Sequence, residues 1–444
     1  MKCLILASIR NERLASFEGP PALIKLLSVP LIDRVLFSAR DAGITEFVVV
    51  TAEQDHMVRQ YLDKFARMQQ LKIEHVIINS ALSRGNAYAV SLARDHLKEP
   101  FILTSLDYLT DPETFRALQT QAIKNNEVLV AVDRDTLAVR TDLTTVTRVN
   151  NDDNNVVVEM NPGLVEFGSF STGVYLCSPG IFQQLDAQLS SSQRELSLLS
   201  AVQKMIAAGN VRVYDIEGNF WSHIDSLDAF MVTEEALLKR VNKKASDNPI
   251  KRFLLRSVSR YVTQLFLAMP INVRQISGVG FAFSALAALL MSTNHYYGLV
   301  VGAVLAFFAV ITHIAQEEVA ALRYQQSGHS RWFDDVLGQY GEMALLLGLT
   351  LHTVHHDYFG MNPILVGVLA IVGCFMFHYS SDKYQQWVGV KPLLQQEVLI
   401  NRDMVYLVAV VGALLNIPLF ALLVMMILFN AMVIRRLFVW REAE

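Results

Sequence analysis

The first half of the chain alternates short apolar runs with amphipathic stretches. KCLILAS, EFVVVTA, IEHVIINS, PFILTSLD and EVLVAVDR read as strands, and segments between them such as PLIDRVLFSARDAG and QDHMVRQYLDKFARMQQ read as helices. This alternation predicts a mostly parallel sheet covered by helices. VTRVNNDDNNVVVEM reads as a hairpin, because its Asn/Asp tip favours a turn. The opening MKCLILASIR has a superficial likeness to a signal start. Its apolar run is too short and lacks a small-residue cleavage site, so a buried strand is expected there. Residues 1–245 are expected to form one soluble α/β domain.

The pattern changes after residue 245. NPIKRFLLRSVSRYVTQLFLAMPI sets Lys251, Arg252, Arg256 and Arg260 among Phe, Leu and Val, which suits an amphipathic helix in a headgroup zone over 246–270. A bilayer core of roughly 30 Å takes about 20 apolar residues per helix. Six candidate spans follow within 271–444, near 276–294, 298–321, 333–353, 361–379, 403–417 and 418–437. Arg323, Arg331, Lys383, Lys391, Arg402, Arg435, Arg436 and Arg441 all fall in the second and fourth connections or the tail, whereas the odd connections carry no Lys or Arg. The positive-inside rule then places both termini and the soluble domain on the cytoplasmic side of an inner membrane.

Composition sharpens this division. Over 444 residues the chain is 52% hydrophobic and only 18% charged, with a mean hydropathy of +0.31, which argues against a wholly soluble protein. A net charge of -4 without a long basic block gives no footprint for nucleic acid. Cys3, Cys177 and Cys374 are odd in number and widely spaced, so neither a disulfide framework nor a thiolate zinc site is indicated.

Ionisable groups crowd the ends of the second and third spans: His313, Gln316, Glu317, Glu318, Arg323, Asp334, Asp335, Tyr340 and Glu342. Such groups cost several kcal/mol in lipid unless hydrated or paired, so they mark a candidate site. His313 and Glu317 share a helical face, and with Asp334 they could ligate one metal ion. The plainer reading is a solvated helix end, with Glu318 pairing to Arg323 or Arg331. His352, His355 and His356 fall at the opposite side.

The plan of six spans, an interfacial helix and a cytoplasmic α/β domain resembles the CDP-alcohol phosphotransferases. More closely, it resembles the enzymes that fuse an inositol-1-phosphate cytidylyltransferase to a CDP-inositol:inositol-phosphate transferase. The fold implied is an α/β Rossmann-like nucleotidyltransferase domain plus an all-α six-helix transmembrane domain. In the membrane family the signature D-x2-D-G-x2-A-R-x8-G-x3-D-x3-D supplies four aspartates that hold two divalent ions at the donor diphosphate. Aligned without gaps, it runs from His313 to Gly338. His313 and Gln316 take the first two Asp positions, Glu317 the Gly, Ala321 the Arg and Ser330 the second Gly. Ala320 and Asp334 match, and Gly338 stands for the last Asp. Val336, Leu337 and Tyr340 fit the usual continuation. Arg402 and Asp403 resemble the acceptor-phosphate region, and Ser381, Lys383 and Gln385 fall where that family often carries Arg, Arg and Glu. One carboxylate cannot hold two hard cations, and a carboxylate moved by one helix position turns by about 100°.

In the cytidylyltransferase-like half, the family loop L-A-A-G-x-G-x-R-L corresponds to Leu6–Leu14. Arg13 and Leu14 match, while Ile9 and Asn11 replace the glycines that let backbone amides approach a triphosphate. Pro21 stands where a catalytic Lys is expected, Ser28 replaces the next Gly, and Lys25 is off register. Other landmarks remain. Arg84, Gly85 and Asn86 match a base- or substrate-contacting loop, Thr172 and Gly173 a substrate-side turn, and Asp107 and Asp225 the pair that binds a divalent ion. Structural duties are also open to them: turns for the glycines, and a cap on the helix near Ser226 for Asp225. The resemblance therefore implies a pseudoenzyme of polar-lipid or CDP-alcohol metabolism. Both its sites are depleted, and Mg2+ is bound weakly if at all. Its expected partners are membrane lipid, a nucleotide or sugar or polyol phosphate, and a second copy or an active relative. The alternative is an active transferase with a metal site recoded to His313, Glu317 and Asp334.

Overall fold

The computed structural model describes residues 1–7, 19–79, 85–135, 146–191, 196–244, 256–326, 328–356, 360–388 and 402–440. The chain divides into two compact units, Met1–Leu237 and Leu238–Glu444.

The first unit is built on a nine-stranded sheet. Its centre comes from the apolar runs: Lys2–Leu6 (β1) pairs in parallel with Glu46–Ala52 and with Phe101–Ser105. These strands are buried on both faces because helices cover both sides, so every residue after Lys2 in β1 is apolar. A short ladder of Lys25–Leu26 (β2) and Val29–Pro30 (β3) precedes the strand Glu46–Ala52 (β4), and Lys72–Ile78 (β5) closes that edge. There exposed and buried positions mix, as expected of a strand with one open side. Beyond Phe101–Ser105 (β6) lie Tyr108–Thr110 (β7), Val128–Asp133 (β8), the hairpin Arg148–Asn151 (β9) with Val157–Asn161 (β10), and Ser169–Cys177 (β11). Val211–Asp215 (β12) and Trp221–His223 (β13) complete the set.

The predicted parallel order holds for β6-β1-β4-β5. The other side is mixed, because β11 enters antiparallel between β6 and β8. That reversal brings the start of β11 to the edge where β1, β4 and β6 end. In open α/β sheets, ligands bind at the carboxyl ends of the strands beside such a change of direction. Helices Leu31–Asp41 (α1), His56–Gln69 (α2), Asn86–Leu92 (α3), Pro112–Gln119 (α4), Ile181–Ser191 (α5), Leu198–Ala207 (α6) and Leu227–Lys244 (α7) follow the strands. Valines, leucines and phenylalanines from both faces form a continuous core around Leu4, Val48, Leu103, Val130 and Phe182.

The second unit is helical. Arg256–Ala268 (α8) turns Ser259 and Thr263 onto Glu318, while Val258, Tyr261 and Leu265 stay exposed. Residues 246–255 of the expected interfacial helix lie outside the described residues. Six helices then occupy the expected positions: Val273–Met291 (α9), Tyr296–Leu322 (α10), Gly328–Val354 (α11), Pro363–Val388 (α12), Arg402–Leu414 (α13) and Pro418–Trp440 (α14). Four of them, α9, α10, α12 and α14, are long and apolar enough to cross a membrane. The expectation of six spans is met only in part, for two physical reasons. At 13 residues, α13 reaches only about 20 Å, short of a hydrocarbon core, and α11 carries Arg331, Asp334, Asp335 and Glu342 within its first 15 residues. Between α13 and α14 the chain reverses tightly, with Asn416 left-handed at φ 57 and Pro418 opening the next helix.

Asp33, in the first turn of α1, is buried and accepts the Tyr61 hydroxyl at 2.5 Å. Burial pushes its carboxyl up from 3.8 to about 6, against the opposing pull of that hydrogen bond and of Arg34. The folded state therefore holds this proton more tightly than the unfolded chain does. Its contribution is full below pH 3.8 and is lost as pH rises through about 6. Glu74 acts in the opposite sense and lower: burial is outweighed by His96, Lys72 and Lys2, which hold it down to about 2, so its contribution falls away only below pH 4.5. Asp33→Asn should remove the alkaline loss. Thermal unfolding of the full chain at pH 4.5 and 7 should show wild type losing stability relative to the variant, and parallel profiles would refute the assignment.

Candidate functional site

At the sheet edge, Asp107 follows β6 and Asp225 follows β13. The small β7–β13 ladder pairs Tyr108 with His223, and beyond it the Ile224 amide donates to the Asp107 carbonyl at 2.7 Å. Both aspartates are thus brought to one end of one ladder. The Asp107 carboxylate is held by the Ser105 hydroxyl and by His223 Nε2 at 3.3 Å, and Asp225 is 7% exposed. The helix after it is capped by the Ser226 side chain, which accepts the Ala229 amide. Tyr108 stacks on His223 with ring centroids 4.4 Å apart. Burial, and then the Asp107 carboxylate, drive its phenol well above the ordinary range.

Gly173 in β11 lies beneath that ring at φ +72, and a Cβ there would run into Tyr108. The neighbouring Thr172 is buried and donates to the Ala131 carbonyl at 3.0 Å. Gly85, at φ +86, leads into α3, and Asn86 is exposed at its first position. Arg13, Arg84 and the loop carrying Ile9 and Asn11 lie outside the described residues. His223 was missed in the sequence. No alternation marks it in FWSHID; the β7–β13 pairing brings it beside Asp107.

In the helical unit, a pocket of about 390 Å³, counting its open part, is lined by residues of α9, α10, α11 and α13, including Ser284, His313, Asp334, Gly338, Arg402 and Tyr406. Arg402, the first residue of α13, dominates it. Its Nε donates to Glu342 Oε1 at 3.1 Å, Nη1 lies 3.4 Å from Asp334 Oδ2, and Nη2 lies 3.6 Å from Asp335 Oδ1. The same Nη1 approaches His313 at 3.0 Å. Glu342 has no exposed side-chain surface, so its charge is compensated wholly by protein groups. Gly338 is what admits the guanidinium: a Cβ at 338 would sit on the Arg402 head group.

His313 meets Asp334 through Nδ1 at 3.5 Å and Glu317 through Nε2 at 3.7 Å. The two carboxylates face opposite ring nitrogens, and a metal takes only one nitrogen of an imidazole. The single-ion arrangement of His313, Glu317 and Asp334 is therefore not what the fold forms. Glu318 does not pair with Arg323 or Arg331 either. It is buried against Ser259 and Thr263, while Arg323 donates to the carbonyls of Phe266, Leu267, Met269 and Ile271. Gln316 is buried, and Lys383 lies exposed along its own helix, donating to Gln386 at 3.0 Å. On the far side His352 donates to the Thr293 carbonyl at 2.6 Å and stacks near His356.

Residues 4–240 match the family described as Nucleotidyl transferase. Curated relatives from several organisms carry the name bifunctional IPC transferase and DIPP synthase. The Rubrobacter xylanophilus protein is 27% identical over 98% of this chain and 95% of its own length. The Archaeoglobus fulgidus protein is 22% identical over 88% of this chain and 72% of its own length. Among solved structures, the inositol-1-phosphate CTP transferase from T. maritima aligns with 53% of this chain and 95% of its own, at 21% identity and a TM-score of 0.46.

Two substitutions test the packing described. Gly173→Ala should destabilise the protein by about 2–4 kcal/mol, combining overpacking against Tyr108 with a positive φ, as read by denaturant unfolding. Arg402→Met should cost about 3–5 kcal/mol by stranding Glu342. Adding Glu342→Gln should recover much of that loss, and purely additive single and double variants would show that the two side chains do not depend on each other.

Proposed function

Because the chain belongs to the nucleotidyl transferase family over residues 4–240 and is similar over 98% of its length to a bifunctional transferase and synthase, we propose that it is a membrane protein of that fused plan that no longer performs metal-dependent phosphotransfer. It acts instead as a non-catalytic partner in polar-lipid or CDP-alcohol metabolism, paired with a second copy or with an active relative. In this reading α9 to α14 all serve as spans, with the short α13 and the charged start of α11 meeting neighbouring helices and not lipid. The Lys/Arg-bearing connections and both termini face the cytoplasm.

One observation carries the proposal. The Arg402 guanidinium lies against Gly338 and faces Asp334, Asp335 and Glu342, at the place where the family resemblance calls for carboxylates and a pair of divalent ions. A dinuclear site of hard cations needs several converging carboxylates. Here one of the four signature positions keeps its Asp, and an immobile protein cation stands beside it. The donor set does not fit two magnesium ions. In the soluble unit, Asp107 and Asp225 remain at one corner, but Ile9 and Asn11 replace the loop glycines and Pro21 the expected Lys, so that half serves as a scaffold and not as a catalyst.

The test is turnover by the purified full chain. With CTP, Mg2+ and inositol 1-phosphate, no diphosphate release above background is expected. With a CDP-alcohol and an acceptor phosphate, no CMP release is expected. Robust turnover that disappears in Asp107→Ala would overturn the reading for the soluble half. Turnover that disappears in Asp334→Ala would overturn it for the membrane half.

A further inference from the structure

Outside the Arg402 pocket, three side chains of different ligand chemistry converge in the helical unit. Cys374 and His378 stand at i and i+4 on one face of α12, opposite Glu342 of α11. Cys374 Sγ is 3.2 Å and His378 Nε2 2.9 Å from the same carboxylate oxygen, Glu342 Oε2. Ligand atoms of all three lie within 4.8 Å of one another. Among the described residues these are the three His, Cys or carboxylate side chains that converge in this way. Cys374 and Glu342 are fully buried, while His378 keeps 21% of its side chain exposed, so the group has one opening. One turn beyond His378 on the same face stands Asp382, and Asp335 couples electrostatically to both. The opening is thus flanked by carboxylates.

We propose that Glu342, Cys374 and His378 bind one divalent transition-metal ion, with a water in the fourth position. The donor set selects the metal class. Thiolate and imidazole favour zinc, cobalt(II) or iron(II) over magnesium or calcium, which take all-oxygen sites. Three protein ligands around a tetrahedral ion stand about 3–4 Å apart at ordinary bond lengths of about 2.0–2.3 Å, so the observed spacing needs little rearrangement. On binding, the Cys374 thiol gives its proton to solvent as the Sγ–metal bond forms, His378 gives up its Nε2 proton so that the neutral ring carries its hydrogen on Nδ1, and the hydrogen bonds that both make to Oε2 are replaced by metal–ligand bonds. Charge supports the site. Asp334, Asp335 and Glu342 surround a single guanidinium, and a dication offsets the excess negative charge. Arg402 binds Oε1 while the ion takes Oε2, so the carboxylate bridges the two cations and the site does not displace Arg402. This inference is independent of whether the chain is catalytic.

Cobalt(II) is the probe, because a cobalt–thiolate bond absorbs in the near ultraviolet whereas oxygen and nitrogen ligation does not. Purified full chain in detergent, stripped with chelator and titrated with CoCl2, should show this charge-transfer band saturating at one equivalent. Zinc should bleach it by displacement, and a tenfold excess of Mg2+ should leave it unchanged. Cys374→Ser should abolish the band. A Cys3→Ser/Cys177→Ser variant, whose substitutions lie in the soluble unit, should retain it. His378→Gln should weaken cobalt binding at least tenfold while the variant keeps the size-exclusion profile of wild type. Absence of a thiolate band in wild type, or a band that survives Cys374→Ser, would overturn the proposal.

Discussion

A carboxylate sealed from solvent between helices imposes a condition that the rest of the second unit must meet. Glu342 has no exposed side-chain surface, and an unpaired charge there would cost several kcal/mol. Arg402 from α13 meets the condition on one oxygen, and Cys374 and His378 from α12 meet it on the other. Three consecutive helices, α11, α12 and α13, are thereby tied together through one side chain. The pairing also fixes where the guanidinium lies, over Gly338 and beside Asp334 and His313. Whatever else the pocket does, it does with a permanent protein cation at its floor.

The first unit solves a different problem by topology. Inserting β11 antiparallel between β6 and β8 creates a break in strand direction at the carboxyl edge, and the β7–β13 ladder folds across it. Asp107, Asp225, His223, Tyr108 and Gly173 meet there through backbone pairing more than through side-chain attraction. The scaffold that assembles it is the sheet itself.

Much of this was legible from apolar pattern alone. KCLILAS, EFVVVTA and PFILTSLD became β1, β4 and β6 because strands buried on both faces admit few polar residues. Helices α9 to α14 likewise fall where long apolar runs fall. The direction of β11 was not legible, because SFSTGVYLC has the same composition whichever way it runs. Nor was Arg402's target. The sequence suggested Arg323 or Arg331 as the partner of Glu318, whereas Glu318 accepts two hydroxyls of α8, and Arg402 reaches the buried Glu342, 60 positions away. Ion pairs between helices depend on rotation about helix axes, which hydropathy does not encode. Cys374 and His378 were hidden for the same reason: within an apolar span, a Cys and a His four apart read as core until the facing helix supplies a carboxylate.

The central claim is that a guanidinium, and not a pair of divalent ions, occupies the space beside Asp334. Anomalous scattering from crystals of the full chain grown with Mn2+ tests it most directly. The account predicts side-chain density for Arg402 packed on Gly338 and no manganese peak within coordinating distance of Asp334. Two manganese peaks bridged by Asp334, with Arg402 turned away from Gly338, would contradict it.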